Sequence, residues 1–169
     1  MKQYRYKLTS ASGRYNQRSD SQDRLIMEER QPSCEEQVEA SLESTLEDLR
    51  KLWEAYMEGE EEVEDLGSIY DYGLCFDYVA MGTFTDQDEP YFRYQLSYGG
   101  PSEEFRIYTG ADFEPYRIEY WFLDWFDGAS RTLYGEDLEL LSEIFTNLFV
   151  ESMAAENAVT EARDDFQKS

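Results

Sequence analysis

The segment YFRYQLSYGGPSEEFRIYTGADFEPYRIEYWFLDW, residues 91–125, decides how this chain folds. Phe92, Tyr94, Leu96 and Tyr98 alternate with Arg93, Gln95 and Ser97, the period of two that puts apolar side chains on one face of a half-buried strand. Gly99, Gly100 and Pro101 then supply a turn, 105–109 a second strand, 110–115 another reversal and 117–125 a third strand. Immediately upstream, 74–81 reads as one further strand. Four consecutive strands joined by short turns predict an antiparallel meander.

On either side of the meander the period changes to that of a helix. Ser33 followed by Glu36 is the S-x-x-E pattern in which each side chain satisfies an orphan amide, so a helix is expected to begin at about Cys34. Val38, Leu42, Leu46, Leu49, Trp53 and Tyr56 recur every three or four residues and carry it to Gly59. The acidic run of Glu60, Glu61, Glu62, Glu64 and Asp65 is expected to end the helix or to fray from it. Downstream, Gly128 and Gly135 bracket a short connection. Leu138, Leu141, Ile144, Phe145, Leu148, Phe149 and Met153 then mark a second amphipathic helix that starts with Glu136 and Asp137 and ends near Asn157. The expected architecture is α+β: a four-stranded antiparallel meander preceded and followed by an amphipathic helix. A basic arm over 1–30, a single acidic domain over 31–158 and a C-terminal tail over 159–169 complete the expectation.

Charge divides the chain. Of 15 basic and 38 acidic residues, seven basic and four acidic ones lie in 1–30, so the arm is positive while the whole chain carries −23. A surface of that sign repels nucleic acid, anionic lipid and acidic substrates, and calls for a basic partner. No run approaches the roughly 18 to 20 apolar residues of a membrane helix, and no apolar core follows the N-terminal basic residues, so no membrane partner and a cytoplasmic location in a host cell are expected. Cys34 and Cys75 are too few for a disulfide framework and lack metal spacing, which predicts two reduced thiols.

Histidine is absent, which removes the commonest general base, nucleophile activator and zinc ligand together. No glycine-rich turn joins a strand to a helix as a phosphate loop does. The best catalytic or divalent-metal grouping is Asp77, Glu119, Asp124 and Asp127 with Arg117 and Tyr120 nearby. A chain with 38 carboxylates pairs some by chance, and the grouping is weighed as structural. No cofactor, no metal and no enzymatic activity are expected.

Two features point instead to binding. On the first helix Glu35, Glu39, Glu43 and Glu47 follow at i, i+4, and Glu36, Glu54 and Glu58 fall in the same angular half when each residue turns about 100°. Successive carboxylates there advance by about 6 Å, a separation of the order of neighbouring phosphates, so the face imitates a nucleic-acid backbone. Acidic helix faces in general are simply solvated. Here, however, like charges at i, i+4 oppose the helix, and acid recurs through the turns and the second helix. The second feature is aromatic: Trp121, Leu123 and Trp125 lie opposite Ile118, Tyr120 and Phe122, so both faces of the last strand carry large apolar side chains. Unless helices cover both faces, some are exposed or buried in a homodimer. The candidate partner-binding residues are therefore Glu35, Glu36, Glu39, Glu43, Glu47, Glu54, Glu58, Glu61, Glu62, Trp121 and Trp125.

The stretch YGLCFDYV at 72–79, with FRYQLSYGGPSEEFRIY and RIEYWFLDWFDGA after it, is similar to uncharacterised acidic proteins carried on phages and plasmids, over residues 70–150. That similarity implies an accessory product of a mobile element and carries no catalytic residues with it. In overall character, small, acidic and aromatic-rich, the chain also resembles the DNA-mimic proteins that block restriction enzymes or CRISPR effectors. Its basic arm departs from that pattern. The resemblance implies a non-enzymatic inhibitor that occupies the channel of a basic nucleic-acid-binding protein of host defence and touches no nucleic acid itself. The alternative is an acidic interaction module, such as an immunity protein, adaptor or chaperone, for one basic partner without mimicry. Adaptation to high salt is a third reading, which the abundance of large aromatics disfavours.

Overall fold

A computed structural model describes residues 31–168; the basic arm expected over 1–30 lies outside them. Helix α1, Cys34–Glu58, starts where the capping pattern puts it. The Glu36 amide donates to Ser33 Oγ at 3.4 Å and the Ser33 amide donates to Glu36 Oε2 at 2.8 Å, so two amides without intrahelical partners are satisfied reciprocally. Gly59 ends the helix in the left-handed region, φ 81°, and the Glu60 amide returns to the Ala55 carbonyl at 2.9 Å. Of the stripe read from the spacing, Val38, Leu42, Leu46, Leu49 and Trp53 are buried and Tyr56 is half-buried, while Leu52, which the spacing did not single out, is buried beside them.

Among the described residues the sheet has five strands in sequence order, all antiparallel: β1 Cys75–Val79, β2 Tyr91–Ser97, β3 Ser102–Thr109, β4 Pro115–Asp124 and β5 Asp127–Thr132. The expected meander of four is thus a meander of five. The residues DGASRT, expected as a connection, pair with β4 from Asp124↔Asp127 to Glu119↔Thr132. Only Ala129 of this strand is buried, so no alternation of large apolar residues announces it; the ladder supplied by β4 makes it a strand.

Register separates the two sheet faces. Phe92↔Ile107↔Ile118 and Tyr94↔Phe105↔Tyr120 form rows on one face and enter the main core with α1 and helix α2, Gly135–Phe145. Phe145 lies 5.4 Å from Phe92, and Phe76 is stacked between Phe92 at 5.5 Å and Phe149 at 4.0 Å.

The second helix expected to run to Asn157 is interrupted. After α2 the chain makes one wide turn over Thr146–Val150, with the Glu151 amide reaching the Thr146 carbonyl at 2.9 Å. Met153 then adopts φ 68°, and a new helix, α3, runs Ala154–Lys168, so residues 159–168 are helical. Ser152 Oγ donates to the Leu148 carbonyl at 2.6 Å, taking the side-chain route that competes with a continuing helix. Both cysteines are free thiols, Cys34 buried and Cys75 exposed. Among the described residues no helix is long and apolar enough to cross a membrane.

Three core-facing phenols make the fold sensitive to base. Burial, and then the Asp48 carboxylate, push the Tyr72 phenol up to about 12, and burial pushes up those of Tyr94 and Tyr120. Unfolded tyrosines ionise near about pH 10, so this stability is intact below that pH and is lost as pH rises through the folded values. Urea midpoints followed together with tyrosinate absorbance should fall steadily above about pH 10, and Tyr72→Phe should lose less across that window than the parent chain.

Candidate partner-binding surfaces

Burying the apolar stripe of α1 turns its opposite side to solvent, and the predicted carboxylates divide there into engaged and free groups. Glu35 and Glu39 both bind Arg131 of β5, each at 2.9 Å, and clamp α1 to the sheet edge. Glu36 is the capping residue. Glu47 pairs with Lys51 at 2.9 Å, and that hydrogen bond first, then its charge, holds the Glu47 carboxyl below its ordinary value. Glu43, Glu54 and Glu58 are exposed and form no ion pair with any described residue. Glu61 and Glu62 do not fray from the helix. They follow its cap and line a cavity beside it.

The catalytic grouping weighed from the sequence is split: Asp124 and Asp127 are register partners at the β4–β5 turn and Arg117 pairs with Glu119 at 3.2 Å, but Asp77 lies on β1, at the other edge of the sheet. Asp77 and Glu119 stand at the two ends of the row Asp77↔Arg93↔Arg106↔Glu119, three strand spacings or about 14 Å apart. Asp127 accepts the Cys34 amide at 2.7 Å, and that bond, its largest influence, holds its carboxyl below its ordinary value. Among the described residues no group of three or more Asp, Glu or Cys side chains is placed to hold a metal ion.

On the sheet face away from the helices, arginines do the covering. The Arg106 guanidinium lies 3.8 Å from the centre of the Trp121 ring and 5.0 Å from that of Tyr91, and Arg117 lies 3.8 Å from Tyr108. Each guanidinium is also paired: Arg93 with Asp77, Arg106 with Glu104 at 2.7 Å, and Arg117 with Glu89. Trp121 is half-buried in this lattice, and its Nε1 donates to Glu119 Oε2 at 3.0 Å. The aromatics on this strand face are therefore sheathed by cations of the same chain. A cavity of about 450 Å³ opens there between Phe84, Tyr91, Arg93, Arg106 and Trp121, and both of its arginines are already matched.

Trp125 belongs to neither strand face. Because Asp124 pairs with Asp127, Trp125 and Phe126 alone form the β4–β5 turn, and they are 89% and 103% exposed. Tyr98, 86% exposed, belongs to the neighbouring β2–β3 turn. The two turns touch: a Cβ added at Gly100 would lie 2.8 Å from Asp124 Oδ1 and 3.3 Å from Trp125 Nε1. Two-residue hairpin turns favour glycine or asparagine where φ is positive, yet Trp125 occupies that position at φ 49°. Tyr98, expected to continue the apolar face of its strand, instead lies beyond the end of β2 at Ser97, and Phe126 is a surface aromatic that periodicity did not single out. The signal for Phe126 lay in an aromatic pair set between Asp124 and Asp127, directly before Gly128.

Comparison with protein-family models, with curated proteins and with solved structures finds no match to this chain.

A bulky residue in the left-handed region costs roughly 1–2 kcal/mol that glycine avoids. Trp125→Gly should therefore fold with unchanged or higher stability, by up to about 1 kcal/mol in urea denaturation. A loss of more than about 1 kcal/mol would mean that the indole is part of the packed structure.

Proposed function

We propose that this domain is a non-enzymatic inhibitor that presents phosphate-like carboxylates to the nucleic-acid channel of a basic host-defence protein, a CRISPR effector or a restriction enzyme. The observation that carries this reading is the set Glu43, Glu54 and Glu58, without an ion-pair partner among the described residues, on the solvent face of one capped helix of 25 residues. A capped helix that packs against a sheet holds its side chains at a fixed rise of about 1.5 Å per residue, so the charges are ordered before binding. Glu54 and Glu58, four residues apart, repel each other at a cost to the helix that becomes a gain only when a cationic surface meets them. The resemblance in character to DNA-mimic proteins supports the same partner class.

The hairpin tip favours a second reading, an interaction module anchored by Trp125 and Phe126 without mimicry. Exposed aromatics ringed by acid are the form of an anchor that seats in an apolar socket with a basic rim. Salt separates the two readings. Charge mimicry weakens steeply as salt rises, whereas an aromatic anchor holds.

The test is affinity capture from a bacterial lysate at low salt, elution in rising salt, and competition of the eluted protein between this chain and duplex DNA. The variant Glu43→Lys/Glu54→Lys/Glu58→Lys should lose at least about ten-fold in competition, at about 1 kcal/mol or less per charge in an exposed contact, with an unchanged circular dichroism spectrum. Retained competition by this variant together with loss in Trp125→Gly would move the site to the hairpin tip.

A further inference from the structure

Beyond the end of α1 the chain folds back and encloses a cavity of about 430 Å³. Gly59 turns the backbone, and Val63 and Gly67 exchange hydrogen bonds of 2.9 Å in each direction, closing a tight loop that returns Ile69 and Tyr70 to the helix. Leu52, Ala55 and Ile69 make an apolar floor. Tyr56 and Tyr70 form a wall, meeting edge to face with ring centroids 5.9 Å apart, and Trp53 stacks on Tyr56 at 5.1 Å. Glu60, Glu61 and Glu62 stand at the rim. No described cation pairs with these three carboxylates, and the last turn of α1 holds no basic residue against the negative end of its dipole.

We propose that this cavity receives an arginine or lysine side chain of the partner protein, its methylenes on the floor, its cation at the tyrosine rings and the glutamate rim. The proposal rests on the partner being basic, as in the function proposed above, but not on phosphate mimicry. Each wall selects for this chemistry. The aliphatic stem of a basic side chain takes the apolar floor while its charged head stays at the rim, and aromatic rings attract a cation that is partly stripped of water. A metal ion, which has no aliphatic stem, would gain nothing from the apolar floor. The volume lies within the range of about 300–1,000 Å³ typical of ligand pockets, and it leaves room for a residue flanking the cation.

The full chain is titrated at physiological salt with the blocked tripeptide acetyl-Leu-Arg-Gly-amide, with its citrulline counterpart, and with spermidine, following the Ile69 methyl and Tyr70 ring resonances. The expected result is a saturable shift of both by the arginine peptide. Affinity should be about ten-fold weaker for neutral citrulline and about ten-fold weaker in Tyr70→Ala, which removes a ring that is 67% exposed. Tyr70→Phe, which keeps the ring, should bind as the parent chain does. Equal binding of citrulline, or shifts spread along α1 in place of the cavity, would overturn the proposal. Tighter binding of spermidine at the same residues would overturn its assignment to a protein side chain. Glu43→Lys, about 24 Å along α1 from Gly59, should leave the peptide affinity within about two-fold. If that variant keeps the cavity while the triple charge reversal still competes with DNA, mimicry fails and this site stands.

Discussion

Burial of the Val38, Leu42 and Leu49 stripe against the aromatic face of the sheet sets the rotation of α1, and the remaining surface features take their places from it. With that stripe inward, Glu43, Glu54 and Glu58 must face water, because about 100° per residue puts them on the far side. The same docking carries the N-terminus of α1 to Asp127, beside the β4–β5 turn, and its C-terminus to the loop that closes the cavity. A substitution that rotated this helix would displace the acidic face, the pocket and the cap together.

Cations are scarce in the described domain, and the fold uses them to hold itself. Arg131 ties α1 to β5, Arg50 ties it to Asp137 of α2, and Arg93, Arg106 and Arg117 cover the second sheet face. Single exposed pairs of this kind stabilise by only about 0–1 kcal/mol each. Their larger consequence is distribution: among the described residues Glu43, Glu54 and Glu58 of α1 and Glu60, Glu61 and Glu62 of the loop after it are left without a cationic partner. The arginines also answer how a sheet with helices on one side carries aromatics on both. Guanidinium planes lie over the rings of Trp121 and Tyr108 and do the covering that a second helical layer would otherwise do.

The surfaces that remain available differ in kind. The helix face offers charge without shape, the hairpin tip offers apolar area on a turn that glycine would form more easily, and the cavity offers a shaped and negatively framed recess. A basic partner can engage all three, with steering by the field, anchoring at the tip and registration by the recess.

Local chemistry made α1 legible in the sequence: its cap at Ser33 and Glu36, its stop at Gly59 and its apolar and acidic sides all follow from neighbours within four residues. Period two exposed β2, β3 and β4 in the same way. What the sequence by itself determined was therefore every element whose signal is short-range, and the sign of the surface. The tertiary structure alone decided the rest. It made DGASRT a strand because β4 offers a ladder, and it broke the last helix at Met153. It also laid arginines over Trp121, put Trp125 and Phe126 in a turn and gathered Tyr56, Tyr70 and Glu60–Glu62 around one recess. These outcomes depend on partners distant in the chain, and a pairing or packing energy that arises only on assembly leaves no periodic trace in the residues that receive it.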